Sequence, residues 1–242
     1  MRSCAVFKMQ PLNPAAAQRF LMNLDLNSDL GEGCPHDADI MPLVTSANIC
    51  CGFHAGDAHT SRFALRLAAE HGVRVGAHPG YADRGHFGRR ELALSEDAIV
   101  ELVLYQVGAL MGLAKAENVT LQYIKPHGAL YNQAFHVEAV ARPLVEAAVL
   151  LQLPLMGQPG SLVETLCRGR IEFIAEGFAD RRYRPDGTLV SRTQPDAFVH
   201  DVAEALAQAD RLTREHGIRS LCVHGDNPQA LAFVRALARK SP

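Results

Sequence analysis

Residues 46–57 read SANICCGFHAGD. The first half is small and β-branched (Ala47, Ile49, Cys50, Cys51), which is the composition of a buried strand. It stops at Gly52, His54, Gly56 and Asp57, a cluster too polar for a core. The strand therefore delivers chemistry to its own C-terminal tip. Glycine lets the backbone turn tightly or approach a ligand there, while His54 and Asp57 supply an imidazole and a carboxylate.

The same format recurs along the chain. Residues 23–29 (NLDLNSD) break at Gly31-Glu32-Gly33, residues 73–80 end in His78-Pro79-Gly80, and residues 121–131 end in Lys125-Pro126-His127-Gly128. Residues 171–182 end in Glu176-Gly177 and Asp180-Arg181-Arg182, and residues 220–227 end in His224-Gly225-Asp226. Residues 154–160 (PLMGQPG) are a poorer example, with glycine but no charge.

Helical patterns lie between these runs. They cover Thr60–His71, a segment capped by Ser95 and striped from Ile99 to Ala114, Val137–Leu151 with Pro143 inside, and Pro195–His216. A last helix opens at Asn227-Pro228 and runs to about Arg239. His71 and His216 each precede a glycine at a helix end, a placement that accounts for both without a site. Alternating strands and helices imply a parallel sheet with right-handed crossovers. Charged residues at nearly every strand tip favour a closed barrel, whose loops all ring one mouth, over an open sheet with a single switch point. The expected fold is thus α/β, a distorted, seven-stranded (β/α) barrel of TIM-like kind. Residues 22–242 form the barrel and residues 1–21 an amino-terminal arm, disordered or a start-site artefact.

The bulk numbers narrow the function. At 242 residues the chain suits one α/β barrel, and 48% hydrophobic residues suffice for a large core. A net charge of -2 without a basic stripe argues against nucleic acid. No apolar run approaches the roughly 20 residues of a bilayer-spanning helix, which argues against a membrane role. The six cysteines show no metal-type pairing, a pattern suited to a reducing cytoplasm. No phosphate loop, dinucleotide fingerprint, nucleophile elbow or zincin helix is found.

The tips supply candidate site residues. Asp25, Asn27 and Asp29 alternate on the first strand and share a face, a costly arrangement unless they serve a ligand, a cation or one another. Glu32 could reach the same mouth, and His54, His78, His127 and His224 occupy equivalent tips. Lys125 reads as an anion binder or a pKa-shifted acid, and Arg181 with Arg84 or Arg184 as a bidentate clamp. His36, His59, His86, His136 and His200 read as solvated surface residues. These residues support acid/base hydrolysis, metal-assisted hydrolysis or ligand binding.

The motifs DLNSDLGEG, SANICCGFHAGD, GAHPGY, GHFGRR, YQVGAL, KPHGALYN, EGFADRRY and HGDNP, in this order, resemble the LamB/YcsF family from about Met22 onwards. The resemblance implies a distorted (β/α) barrel related to the polysaccharide-deacetylase type. It also implies the A-subunit role in ATP-dependent 5-oxoprolinase: lactam cleavage of 5-oxo-L-proline to L-glutamate with ATP hydrolysis, beside B and C subunits that bind most of the ATP. On this reading Asp25, Asn27, Asp29, His54, His78, His127 and His224 are catalytic. Glu32, Asp57, Lys125, Glu176, Arg181 and Asp226 bind substrate. A divalent metal is left open, with Asp29, His54 and His78 as ligands if one is present. The alternatives are a metal-dependent deacetylase-type hydrolase and a non-catalytic substrate-binding subunit.

Overall fold

The computed structural model describes residues 24–227 and 229–238. The amino-terminal arm, the strand start at residues 22–23, Pro228 and Arg239 lie outside the described residues. Seven parallel strands close into a barrel in sequence order: β1 (Asp25–Leu30), β2 (Ser46–Cys50), β3 (Arg74–His78), β4 (Leu121–Ile124), β5 (Leu155–Gly157), β6 (Phe173–Phe178) and β7 (Ser220–Cys222), with β7 returning to β1. The helices between them are α1 (Asp37–Ile40), α2 (Ala58–His71), α3 (Glu96–Ala116), α4 (Gly128–His136), α5 (Glu138–Leu151), α6 (Leu162–Cys167), α7 (Val202–His216) and α8 (Ala230–Ala238). The barrel is uneven: β4 and β5 meet at a single pair, Ile124 with Leu155, and the β3–β4 register shifts at Val75/Gly76.

Local chemistry sets the helix ends. Asp57 caps α2 by accepting from the Thr60 amide at 2.8 Å, the Thr60 hydroxyl accepts from the Asp57 amide, and Gly72 ends the helix in the left-handed region at φ 66°. Ser95 caps α3. Asp201 caps α7, so residues 195–201 form a loop where the sequence pattern extends the helix back to Pro195. That loop is pinned to the end of β6 by an Arg181–Phe198 bridge and by the Val199 amide on the Asp180 carbonyl. The α4 and α6 segments are helices that the pattern does not separate from their loops.

α3 also corrects the membrane argument, because its 21 residues are long and apolar enough, by length and composition, to cross a bilayer. Here its stripe of Ile99, Val103, Val107, Leu110 and Ala114 is buried in the core shared by barrel and helices. Apolar residues of α5 and α7, including Leu144, Val145, Ala148, Ala209 and Leu212, join the same core.

Unlike that outer core, the barrel interior is polar. Even-numbered β1 residues Leu26 and Leu30 point into the apolar layer, while Asp25, Asn27 and Asp29 point inward. At the floor, Asp25 accepts from the Thr45, Ser46 and Ser220 hydroxyls and from Arg74. Above it, Asn27 donates to Ser220 at 2.7 Å and to Glu176 at 3.0 Å, while Asn48 donates to Asn27 and Asp29 and accepts from Tyr123. Every rung therefore has a partner, which makes burial of these groups tolerable.

The Tyr123 ring lies across the Gly76 backbone, where an added Cβ would sit 2.2 Å from a ring carbon. Gly76→Ala is therefore expected to cost about 1–3 kcal/mol by overpacking. Urea unfolding monitored by circular dichroism should show a lower midpoint at unchanged slope, and an unchanged midpoint would contradict the packing described.

Candidate functional site

The C-terminal strand tips and their loops surround a cavity of about 800 Å³. Its wall includes Asp29, His78, Lys125, His127, Arg181 and His224, six of the residues singled out from the sequence. Three polar clusters organise this end of the barrel.

The first is a buried ion-pair network. Lys125 Nζ lies 2.8 Å from Asp29 Oδ1, 2.9 Å from Glu176 Oε1 and 3.0 Å from Cys222 Sγ. Burial alone would lower the Lys125 pKa, but Asp29, Cys222 and Glu176 raise it well above the ordinary value. Burial would raise Asp29, yet His78 and Lys125 hold it well below the usual carboxylate range. Lys125 thus stays cationic, engaged with carboxylates of its own barrel, and is not a pKa-depressed acid.

The second cluster is Glu32, His54, His78 and His127, all buried, with donor atoms within 4.8 Å of one another. His78 Nδ1 sits 2.7 Å from the Lys125 carbonyl, and His127 Nε2 sits 2.8 Å from the Phe87 carbonyl. A carbonyl only accepts, so both of these ring nitrogens carry hydrogen. The opposite nitrogens, His78 Nε2 and His127 Nδ1, then face each other at 3.0 Å, with Glu32 Oε1 at 3.6 and 3.2 Å. His54 stacks on His127 with ring centroids 3.7 Å apart, and its Nε2 lies 3.1 Å from Glu32 Oε1. Burial, aided by His127, pushes the His54 pKa down to about 3, so it is a neutral donor to Glu32. Burial would raise Glu32, but its contacts with the His127 and His54 rings hold it well below the usual range. Burial also lowers His127, whereas for His78 the charge of Asp29 outweighs burial and raises the pKa.

Glycines make this packing feasible. A Cβ at Gly80 would meet His54 Nδ1 at 2.7 Å, and one at Gly88 would meet His54 Cβ at 2.6 Å. Phe87 adopts φ 55°, a left-handed conformation uncommon outside glycine, and so turns its carbonyl toward His127.

The third cluster is a dyad. His224 Nδ1 lies 3.0 Å from Asp180 Oδ1, and Asp180 Oδ2 accepts from the His224 amide and from Asn227, both at 3.2 Å. Burial would raise Asp180, but His224 outweighs it and lowers the pKa. The ring stacks on Phe178 at 5.2 Å and lines the cavity, and its Nε2 has no hydrogen-bond partner among the described residues. Asp29 adjoins this dyad as well, because Asp29, Cys222 and His224 offer atoms within 4.8 Å of one another.

The geometry corrects several assignments made from the sequence. Asp25 shares the inward face with Asp29 but lies at the opposite end of the barrel, four residues or about 13 Å down the strand at ~3.3 Å per residue. Its hydroxyl and arginine partners make it part of the floor. Asp57 is the exposed cap of α2. Asn27 and Glu176 lie beneath the mouth as ladder members. Asp226 pairs with Arg89 and Arg192 at the rim. Arg84 is tied to the Gly52 and Gly56 carbonyls, and Arg181 to those of Val190 and Ala197, so they form no shared clamp. His136, a surface residue by its sequence context, borders the cavity. For a metal, Glu32 and His127 join His54 and His78, while Asp29 groups with Cys222 and His224. Asp180 is not among the site residues that the sequence singles out, although its Asp180-Arg181-Arg182 tip is, because only the fold brings it to His224. Arg89 and Arg192 likewise reach the cavity only through long loops.

The sequence pattern of the LamB/YcsF family matches residues 24–241. The chain belongs to the LamB/YcsF family. A lactam utilization protein from Thermus thermophilus is 39% identical over 90% of this chain and 96% of its own, with a TM-score of 0.82. LamB/YcsF architecture extends beyond close relatives. A candidate cellobiose-phosphate cleavage protein from Enterococcus faecalis V583 superposes with a TM-score of 0.53 at 12% identity, covering 89% of this chain and 90% of its own. A variant of a CE4-family pseudoenzyme with restored enzymatic activity gives 0.50 at 11% identity, over 90% of this chain and 62% of its own. At such identities the likeness is one of fold. The LamB/YcsF chain is therefore a closed seven-stranded barrel, a fold it shares with the CE4-family pseudoenzyme variant, with a buried His/Glu cluster that could hold a metal.

Proposed function

We propose that this chain performs the hydrolytic half of an ATP-dependent 5-oxoprolinase. It would open the lactam of 5-oxo-L-proline to L-glutamate, coupled to hydrolysis of ATP to ADP and phosphate, beside B and C subunits that hold most of the nucleotide. Family membership and the likeness to a lactam utilization protein support a lactam substrate. The observation that carries the hydrolytic role is the His224–Asp180 dyad, which presents one unengaged ring nitrogen to a cavity whose wall also holds His78 and His127.

An unstrained five-membered lactam is a resonance-stabilised amide and a poor electrophile. Phosphorylation of its carbonyl oxygen would produce an activated imidate, and this explains why ATP would be needed. His224 Nε2 would take a proton from the attacking water while Asp180 holds the ring and stabilises the imidazolium. When the ring C–N bond breaks, the nitrogen takes a proton that the same imidazolium can return, leaving the γ-acyl phosphate of glutamate, and attack of a second water on it would release phosphate and L-glutamate. Arg89, Arg181, Arg184 and Arg192 on the cavity wall favour an anionic ligand, as the substrate carboxylate and a phosphoryl group both are.

The deciding assay incubates the chain with 5-oxo-L-proline and ATP, with and without the B and C subunits, and measures glutamate and ADP. Both products should appear together, and only in the complete mixture. Metal-dependent amide hydrolysis by the chain alone, without ATP, would replace this reading with the deacetylase-type one.

A further inference from the structure

We infer that Glu32, His78 and His127 form a binding site for one divalent transition-metal ion of the zinc class. The ligand atoms would be His78 Nε2, His127 Nδ1 and Glu32 Oε1. Three observations support this.

The first is hydrogen placement. The Lys125 and Phe87 carbonyls each accept a hydrogen bond from one ring nitrogen, so the remaining nitrogens, His78 Nε2 and His127 Nδ1, are turned toward each other at 3.0 Å beside a carboxylate. Two imidazole nitrogens beside the buried carboxylates of Glu32 and Asp29 call for a positive centre among them, which a metal ion would supply in place of a proton on His78. The second is spacing. The three donor separations are 3.0, 3.2 and 3.6 Å. Bond lengths of roughly 2.0–2.2 Å at a tetrahedral centre put neighbouring donors about 3.3–3.6 Å apart. The third is support behind the donors. Metal-bound histidines characteristically donate their other N–H to a carbonyl or carboxylate, as His78 and His127 do here. His54, donating to Glu32 at 3.1 Å, orients the carboxylate in the same way.

Imidazole donors favour zinc, copper, iron or nickel over magnesium or calcium. Two histidines and one carboxylate leave a coordination position open, the arrangement of catalytic zinc sites. His78 and His127 line the cavity while Glu32 lies behind them, so that position would face the cavity. When bound, such an ion would polarise a carbonyl or acidify water.

The inference concerns binding and stands apart from the reaction proposed above, so its test needs no activity. The full chain, stripped with a chelator and dialysed, is titrated with Zn²⁺ and with Co²⁺ as a spectroscopic substitute. One equivalent should bind, with visible bands of a low-symmetry cobalt site. Glu32→Gln and His127→Asn should each weaken binding at least 100-fold while circular dichroism stays unchanged, and the surface variant His86→Ala should bind as the parent does. X-ray absorption on the zinc-loaded parent provides a check independent of variant folding, and should show N/O ligands including two imidazoles. Absence of stoichiometric binding, unchanged affinity in both site variants, or a spectrum without imidazole scattering would overturn the inference.

Discussion

Replacing Lys125 with methionine is expected to cost about 3–5 kcal/mol of stability, the usual penalty for breaking a buried ion pair. Lys125 neutralises two carboxylates, Asp29 at 2.8 Å and Glu176 at 2.9 Å, and all three side chains are buried. Without it, Asp29 keeps Asn48 and His78, but among the described residues Glu176 keeps only Asn27, and its second oxygen has no partner there. Two anions would then share a low-dielectric space. Urea unfolding at neutral pH measures the loss. Adding Glu176→Gln to Lys125→Met should recover part of it, because one of the stranded charges is removed, and the double-mutant cycle gives the coupling. A loss under about 1 kcal/mol for the single variant would mean that the charges are solvated and the network is not structural.

His224→Asn should slow ring opening in the reconstituted assembly by about 10²- to 10⁴-fold, the range for a positioned acid/base group. Asparagine preserves a polar side chain beside Asp180 but cannot exchange a proton with water. The parent fold should survive, since the His224 ring is held by one carboxylate and one aromatic face at the mouth of the barrel. Asp180→Asn should produce a smaller defect in the same direction, because the imidazole remains while its orientation and the stabilisation of its charged form are lost. The control is Asp25→Asn at the other end of the barrel, which should lower stability but leave the rate per folded molecule unchanged. Equal rates for His224→Asn and the parent would remove the dyad from the mechanism, and a rate loss in Asp25→Asn would mean that floor and mouth are coupled.

Much of this architecture is legible in one-dimensional patterns. Each strand announces itself by a short apolar or, in β1, alternating run ending in glycine and, at all but one tip, charge. The helix caps at Asp57, Ser95, Gly72 and Gly217 are local events that need no distant residue. The α7 start is not legible in this way, because Phe198 and Val199 fit a helical stripe whereas in the fold both lie against the end of β6. The separate α4 helix is hidden because its strand, tip and first turn form one continuous motif.

Periodicity determined which side of β1 faces inward, because side chains alternate along any strand. Height within the barrel was beyond its reach: Asp25 and Asp29 look equivalent in sequence, yet one seals the floor and the other joins Lys125 and His78 at the mouth. Tertiary structure alone decided which tips converge, since strand register places His78 beside His127 and Asp180 beside His224. It alone decided the hydrogen on each imidazole too, because that depends on carbonyls of Lys125 and Phe87, residues 47 and 40 positions away in the chain. Local sequence specifies conformation through short-range sterics and hydrogen bonds, while the protonation and pairing of buried groups depend on neighbours that only the closed barrel brings within reach.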